Sequence, residues 1–276
     1  MSLKVAARAN LIWAAAERWG AQLLAAAVFT VLARLLDKPV FGIVALANLY
    51  IGFVQIFVGQ GIGVAIVQRK NLESSHLDTA FWINVGMAVA LAGATIALRH
   101  PAGVLLGSDE VGPVLSVLAV SLPLWALTVV PSALLERELK FKVLATRSLT
   151  ASAVGGVVGV TTAFLGLGVW SLVLQQLVGA ALTLVLLWST VQWRPRLRGS
   201  RKAFADLAPF SGSVMGNNVL WFVSQRVDQG VIGRGLGVEA LGTYSLAMRV
   251  VTLGQDSISA PVTRVAMPLF SGIHDQ

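Results

Sequence analysis

The sequence contains no cysteine and few charged residues. Without cysteine the chain can form neither a disulfide nor a thiolate metal site, and it has no thiol nucleophile. The three histidines, His76, His100 and His274, lie far apart in polar segments, whereas the ligands of a metal site must meet. A phosphate-binding Gly-Lys-Ser/Thr loop is also missing, which excludes ATP hydrolysis by that route. We therefore expect no metal, no cofactor and no catalytic residues.

The scarcity of charge indicates a membrane protein. Charged residues make up 12% of the chain and hydrophobic residues 56%, and the mean hydropathy is +0.76. An ionised side chain at the centre of a membrane helix costs about 2.5–3.5 kcal/mol on insertion scales. Helices of a soluble bundle would need polar faces, which most of the apolar runs lack. The net charge of +8 comes from basic residues between apolar runs, so we interpret it as a topology signal and expect no nucleic-acid partner.

Eight apolar runs are long enough to cross a bilayer, since about 20 apolar residues span the hydrocarbon core. The uncharged run Ser148–Trp193 is predicted to form two helices with a turn at Gly166-Leu167-Gly168. Glu17 and Arg18 interrupt the first run, which favours a retained helix over a cleaved signal peptide. The fold class is therefore all-α and polytopic. The remaining predicted spans are Leu11–Ala33, Val40–Val67, Ala80–Leu98, Val111–Leu135, Leu207–Gln225 (extending to about Ile232) and Leu241–Phe270.

Lysine and arginine are distributed unequally between the two sides of this topology. The N-terminal tail and the loops after the second, fourth and sixth predicted helices contain 13 of them. The opposite loops contain 4, namely Arg34, Lys38, Arg99 and Arg234. The positive-inside rule therefore predicts a cytoplasmic N-terminus. The basic segment 194–202 is interpreted as a topology signal or as a binding segment for anionic lipid headgroups or a diphosphate.

Residues 31–47 and 231–247 are similar at an offset of 200. The coincident pairs include Gly42/Gly242, and further along Gln55 meets Gln255. Both copies place Arg and Gly in the connection between an odd-numbered and an even-numbered helix. An offset of six helices preserves direction through the membrane, so a parallel repeat is predicted, against chance similarity of apolar segments. The other coincident pairs are Val31/Val231, Arg34/Arg234, Leu36/Leu236, Leu46/Leu246 and Ala47/Ala247.

The second copy of this repeat also resembles a known family. The segment VDQGVIGRGLGVEALGTYSLAMRVV (227–251) is similar to the polysaccharide-transport branch of the multidrug/oligosaccharidyl-lipid/polysaccharide flippase superfamily. That branch has an Asp, a Gly-Arg-x-Leu-Gly connection and then Leu-Gly-x-Tyr-x-Leu-Ala. Three further stretches resemble it, and together they extend the resemblance over essentially the whole chain: ARLLDKPVFGIVALA (33–47), GLGVWSLVLQQLVGA (166–180) and ISAPVTRVAMPLFSGI (258–273).

The resemblance implies a flippase of the bacterial cytoplasmic membrane. Family members carry polyprenyl-diphosphate-linked oligosaccharides to the outer leaflet for O-antigen, capsule or exopolysaccharide. They have about twelve to fourteen helices in two lobes around a central cavity. Residues 1–199 would then be a first lobe of six helices, and 200–276 the first two helices of a second lobe. The expected partners are the lipid-linked oligosaccharide, membrane lipids and a second lobe or second copy, because the chain is either a fragment or a short family member.

The intramembrane charges are the candidates for substrate binding, because an ionisable residue inside a membrane is a functional hypothesis by default. Arg18 lies in the first helix with Gln22 one turn further on, and Arg226 lies late in the seventh. Arg249 and Asp256 are seven residues apart on one face of the eighth. The alternatives are structural ion pairs such as Arg249–Asp256, or arginines that extend to the membrane interface.

Two polar faces and several Gly-xxx-Gly pairs have two interpretations, helix packing or substrate contact. The faces are Asn48, Gly52, Gln55 and Gly59 in the second helix and Asn218, Trp221 and Gln225 in the seventh. The pairs are Gly59/Gly63, Gly155/Gly159, Gly212/Gly216 and Gly233/Gly237.

Four functions remain open at this stage. The first is the lipid-linked oligosaccharide flippase. The second is a membrane polymerase or ligase of the same pathway, against which the short outside loop Arg99–Glu110 argues. The third is a drug or cation exporter of the same superfamily. The fourth is a truncated lobe that is inactive or needs a partner chain, because alternating access requires two halves.

Overall fold

The structure, a computed structural model, describes residues 22–59, 73–197 and 201–252, together with the single positions 20, 63, 66 and 67. The side chains of residues 141 and 201–214 are outside this description. All regular secondary structure in these ranges is helical, which confirms the all-α prediction. The helices are α1 Gln22–Leu35, α2 Lys38–Gln55, α3 Ser74–Ala97, α4 Arg99–Leu106, α5 Val111–Leu118, α6 Ser121–Arg137, α7 Phe141–Phe164, α8 Val169–Thr190, α9 Arg201–Leu236 and α10 at 238–252.

Within the described ranges, five segments are long and apolar enough to cross a membrane. They are α2, α3, the continuous stretch Val111–Arg137 that contains α5 and α6, α7 and α8. The chain is therefore a multi-pass membrane protein. The predicted span Leu207–Gln225 lies within α9, which is not among these five, and the predicted spans Leu11–Ala33 and Leu241–Phe270 lie partly outside the described residues.

The predicted turn between α7 and α8 is confirmed. Gly166 has φ +77° and Gly168 has φ +55°, in the left-handed region that glycine enters without steric cost. The two helices consequently form an antiparallel pair. Their contact is close because the backbone of Gly155 faces the carbonyl oxygen of Gln175, which lies 2.8 Å from where a Cβ would be.

Three boundaries differ from the prediction. Helix α2 ends at Gln55 instead of continuing to Val67, and Gly59 follows with φ +75°. The predicted outside loop Arg99–Glu110 contains α4, which ends at Gly107 with φ +83°. The predicted span Val111–Leu135 is one span but ends at Arg137, and it contains a turn at Ala119–Val120 because Pro123 has no N–H to donate to the carbonyl of Ala119. The nitrogen of Leu122 instead donates to that carbonyl at 3.1 Å.

The largest hydrophobic core lies between α2, α3, α5 and α6. Leu46, Val58, Leu115 and Leu122 are completely buried there. Leu241 of α10 belongs to the same core and is also completely buried. Helix α10 is therefore anchored to the first six helices, and its start is held against the start of α2.

Candidate functional site

Helices α2 and α10 begin side by side and touch through glycine. A Cβ on Gly42 would lie 1.8 Å from the carbonyl oxygen of Val238, and a Cβ on Gly242 would lie 1.9 Å from that of Lys38. No side chain fits at either place, so each carbonyl is close enough for the Cα–H···O contacts found at tight helix interfaces. We call this contact of Gly42 and Gly242 with the backbones of Val238 and Lys38 the glycine crossing.

The glycine crossing supports the predicted repeat. Its two contacts are reciprocal, since Gly42 meets the region of Val238 while Gly242 meets Lys38. Both pairs of equivalent positions, 42/242 and 38/238, are separated by 200 residues, which is the offset found in the sequence. Reciprocal contact of equivalent residues is the arrangement produced by a two-fold axis. The sequence repeat is thus also a repeat in the arrangement of these helices.

A cavity of about 480 Å³ lies next to the glycine crossing, between the two helices and their neighbours. Its size falls in the usual range of ligand pockets. On α2 the lining extends from Phe41, beside Gly42, to Asn48, and on α10 it extends from Ser245, about one turn after Gly242, to Thr252. The lining residues are Ala25, Phe29, Leu32, Phe41, Val44, Ala45, Asn48, Leu172, Gln175, Gln176, Arg226, Gln229, Ser245, Met248, Arg249 and Thr252.

Two of the predicted site residues, Arg226 and Arg249, are together on the wall of this cavity. Arg226 is ten residues before the end of α9 and Arg249 eleven residues after the start of α10. At a rise of about 1.5 Å per residue, both lie about 15 Å from those helix ends.

The arginines have few polar partners. Arg226 donates a hydrogen bond from Nη1 to Oε1 of Gln229 at 3.4 Å. In the ranges that the structure covers, neither Arg226 nor Arg249 forms an ion pair. Ser245 faces the same cavity, and its buried Oγ has no hydrogen-bond partner within those ranges. The cavity therefore contains unused donors, which suits an anionic or hydroxyl-rich ligand.

The other predicted site residues are placed as follows. Gln22 lies on α1, one turn before the lining residue Ala25, and is not itself part of the lining. Arg18 and Asp256 lie outside the described residues. The proposed pairing of Arg249 with Asp256 therefore stays a prediction.

Sequence reasoning missed the amides of the cavity wall. Gln175 and Gln176 on α8 and Gln229 on α9 all line it. A signal was available, because two consecutive glutamines occur in the longest uncharged run of the chain. Amides inside a membrane segment face a helix neighbour or a polar cavity rather than lipid.

The polar face of α2 combines both interpretations given above. Asn48 lines the cavity, whereas a Cβ on Gly52 would lie 3.1 Å from the ring of Phe222. The pair Gly155/Gly159 is a packing contact, because both glycines face Gln175 of α8. Gly233 also packs, with the side chain of Leu46 2.5 Å from its Cβ position.

A hydrogen bond links α9 and α10, the two helices that carry the cavity arginines. The hydroxyl of Tyr244 donates a hydrogen bond to one carboxylate oxygen of Asp228. The other oxygen accepts the backbone N–H of Gln229 at 2.8 Å. Asp228 is thus engaged by its own neighbours, which explains why it does not neutralise Arg226.

Comparisons with known proteins agree with this architecture. The profile of the family described as polysaccharide biosynthesis protein matches residues 31–276. The succinoglycan biosynthesis transport protein ExoT of Rhizobium meliloti (strain 1021) is 30% identical over 97% of this chain and 54% of its own length. The lipopolysaccharide biosynthesis protein WzxC of Escherichia coli (strain K12) is 26% identical over 89% of this chain and 50% of its own.

The teichuronic acid biosynthesis protein TuaB of Bacillus subtilis (strain 168) is 25% identical over 79% of this chain and 46% of its own length. The chain thus spans about half the length of the curated relatives it matches. No solved structure shows significant similarity to it.

Proposed function

Because the chain belongs to the polysaccharide biosynthesis protein family, as its sequence resemblance predicted, we propose that it serves in a flippase for lipid-linked oligosaccharides. The substrate would be a polyprenyl-diphosphate-linked sugar unit, moved across the bacterial cytoplasmic membrane for surface polysaccharide synthesis. The observation that carries this proposal is the pair Arg226 and Arg249 on the wall of one cavity.

The physical argument starts from the cost of moving the substrate. A diphosphate and its sugars lose their hydration in hydrocarbon, which is prohibitive without replacement partners. Two guanidinium groups supply charge-assisted hydrogen bonds to phosphate oxygens. The amides of Asn48, Gln175 and Gln176 can exchange hydrogen bonds with sugar hydroxyls. No covalent step is needed.

The architecture supports a requirement for two similar units. The wall of the cavity is built by α1, α2 and α8 on one side and by α9 and α10 on the other. Alternating access moves two such units relative to each other around a fixed site. We therefore propose that the working transporter contains a full second lobe, present in the same protein or supplied by a second copy.

Export in cells tests the role of the arginines. In a strain without its own flippase, we expect Arg249→Ala and Arg226→Ala to lower surface polysaccharide about tenfold to a hundredfold, as for the loss of about 1.5–3 kcal/mol of charged hydrogen bonding. Arg249→Lys should retain part of the activity, since it keeps the charge but loses the fork geometry. The matched control is Arg99→Ala, which removes an exposed arginine outside the cavity.

Several results would decide between the functions. Normal export by both alanine variants, at equal protein levels in the membrane, would reject the cavity as the binding site. Export by the 276-residue chain alone, measured beside a co-expressed second lobe, separates a self-sufficient transporter from a partner-dependent one. Sugar transfer by the purified chain would instead favour a polymerase or ligase.

A further inference from the structure

The connection that follows α8 is fixed to the first turns of α3. Residues 191–197 leave the end of α8 without regular secondary structure. The backbone N–H of Arg196 donates to Oδ1 of Asp78 at 3.1 Å, and the carbonyl oxygen of Arg196 accepts the indole N–H of Trp82 at 3.0 Å. Asp78 is only 2% exposed, so a buried carboxylate holds this one backbone group. Both sides of Arg196 are therefore held in place by α3.

Aromatic rings fill the space next to this connection. The ring of Phe81 lies 5.9 Å from that of Trp188 and 5.6 Å from that of Trp193, centre to centre. Trp188 also donates its indole N–H to the carbonyl oxygen of Leu127 on α6 at 3.1 Å. Both α3 and α8 are long enough to cross a membrane, and these rings lie where α3 begins and α8 ends. Because tryptophan is enriched at membrane–water interfaces, residues 191–197 are placed at the membrane surface.

The basic residues near this surface differ in whether their charge is already used. Arg194 donates to the carbonyl oxygen of Trp188 at 3.2 Å, and its guanidinium lies 5.5 Å from the centre of that indole ring. Lys140 forms an ion pair with Glu138 at 2.6 Å. The side chain of Arg196 is exposed, and its guanidinium has no hydrogen-bond or ion-pair partner among the described residues. Arg196 is thus a cation with a fixed backbone and an available head.

Apolar surface flanks this cation. Leu197 is 85% exposed and Trp82 is 39% exposed. Leu197 follows Arg196 in the chain, and Trp82 is bound to its carbonyl oxygen. At a membrane surface an exposed leucine enters the acyl boundary, an indole ring lies at the level of the headgroups and a guanidinium binds phosphate. The three side chains therefore match the acyl chain, the interfacial region and the phosphate of a phospholipid.

We propose that Trp82, Arg196 and Leu197 form a binding site for an anionic phospholipid, with the guanidinium of Arg196 on its phosphate. The predicted orientation puts this end of α8 in the cytoplasm, where anionic lipids make the membrane surface negative. A topology signal needs the charge alone, whereas here the backbone that carries the charge is immobilised as well. The site does not depend on the proposed transport function.

Lipid binding to the purified chain tests the role of Arg196. The chain in detergent is titrated with phosphatidylglycerol or with phosphatidylcholine, and the bound lipids are counted by native mass spectrometry. Arg196→Gln should weaken binding of phosphatidylglycerol about fivefold, as for the loss of one basic residue at an anionic membrane surface, and leave phosphatidylcholine unchanged. The matched control is Arg99→Gln, which removes an exposed arginine beyond the opposite end of α3. Unchanged binding of phosphatidylglycerol, or an equal loss for both lipids, would overturn the proposal.

A second pair of variants tests whether the fixed backbone matters. Trp82→Phe keeps an aromatic ring but removes the donor to the carbonyl oxygen of Arg196, and Asp78→Ala removes the acceptor of its N–H. Each should weaken phosphatidylglycerol binding about twofold to fivefold, because the arginine is no longer pre-organised. Asp78→Asn retains an acceptor oxygen and should bind as the unchanged chain does. If Asp78→Ala does not fold, Trp82→Phe decides, and full binding by Trp82→Phe would reject the fixed backbone as part of the site.

The absence of cysteine permits a direct measurement at Leu197, because an introduced thiol is the only one. Leu197→Cys carrying an environment-sensitive fluorophore should shift its emission to shorter wavelength in vesicles that contain phosphatidylglycerol. The shift should be smaller in pure phosphatidylcholine and smaller again when Arg196→Gln is added. Equal emission in all three would contradict lipid docking. Reversal of the shift by excess inorganic phosphate would identify a site for free phosphate instead. No transport is measured, so failure of this site and failure of the flippase proposal are distinguishable.

Discussion

At the scale of single residues, the pair Asp228 and Tyr244 determines how the two helices with the cavity arginines are held together. Asp228 lies on α9 two residues after Arg226, and Tyr244 lies on α10 five residues before Arg249. Their hydrogen bond is therefore the nearest described polar link between the two cations. A carboxylate that is already satisfied here leaves the arginines available for a ligand.

Removing the tyrosine hydroxyl should loosen this link. We expect Tyr244→Phe to lower the free energy of unfolding by about 1–3 kcal/mol, because the partly buried carboxylate of Asp228 loses a donor. The measurement is thermal unfolding in detergent, followed by far-UV circular dichroism. Asp228→Asn should cost less, since its single amide oxygen can still accept the N–H of Gln229 while its amide nitrogen can donate to the oxygen of Tyr244. A double-mutant cycle with no coupling between the two positions would contradict the link.

The sequence identified the charged members of the site more readily than the neutral ones. Arg226 and Arg249 are conspicuous because a charge inside an apolar run needs an explanation. Gln175 and Ser245 are not conspicuous, because such residues occur equally in helix packing. Only the positions of α8 and α10 around the cavity distinguish the two uses. The binding role of the arginines themselves stays a prediction.

At the scale of helices, the α7–α8 pair depends on the absence of side chains at Gly155 and Gly159. A Cβ on Gly155 would lie 2.8 Å from the backbone oxygen of Gln175, and one on Gly159 would lie 2.9 Å from the Cβ of the same residue. Backbone atoms cannot turn away as a flexible side chain can. The helices would have to separate, and Gln175 would move with α8 away from its place in the cavity wall.

Substitution at Gly155 tests this dependence. We expect Gly155→Ala to destabilise the protein by about 1–3 kcal/mol, as for other cases of overpacking. Gly93→Ala on α3 is the matched control, because its Cβ would meet nothing within 4 Å. Alanine favours the helix by about 0.5–1 kcal/mol there, so the control should be neutral or slightly stabilised. Equal melting temperatures of the two variants would contradict close packing of α7 on α8.

The sequence predicted the helix boundary at Gly166-Leu167-Gly168 but not the end of α2. The turn at Gly166-Leu167-Gly168 was predicted because a run of 46 uncharged residues is too long for one helix. The end of α2 was missed because Gln55 to Val67 is uncharged and apolar enough to continue a span. Turns follow Gln55, and Gly59 then has a positive φ and a Cβ position only 2.7 Å from the side chain of Val129. That is a tertiary contact, which a sequence pattern does not contain.

At the scale of the whole molecule, the two repeated units contribute differently to one cavity. The positions equivalent to Arg226 and Arg249 at the 200-residue offset are Ala26 and Leu49. Both cations thus come from the second unit, although the backbones pack as equivalents at the glycine crossing. The symmetric backbone provides two parts that can move relative to each other, and the asymmetric side chains give the cavity one charged wall.

The orientation of this assembly in the membrane is the remaining prediction. The chain around the loops after α6 and α8 is basic, with four Lys and Arg in 137–147 and five in 194–202, whereas the loops 107–110 and 165–168 contain none. Basic loops are retained in the cytoplasm because their transfer across the membrane is unfavourable. We therefore expect single cysteines at Asp109 and Leu167 to react with an impermeant maleimide in intact cells. Single cysteines at Glu138 and Leu197 should react with the maleimide at least tenfold faster after permeabilisation of the cells than before. The opposite pattern would contradict the predicted cytoplasmic N-terminus.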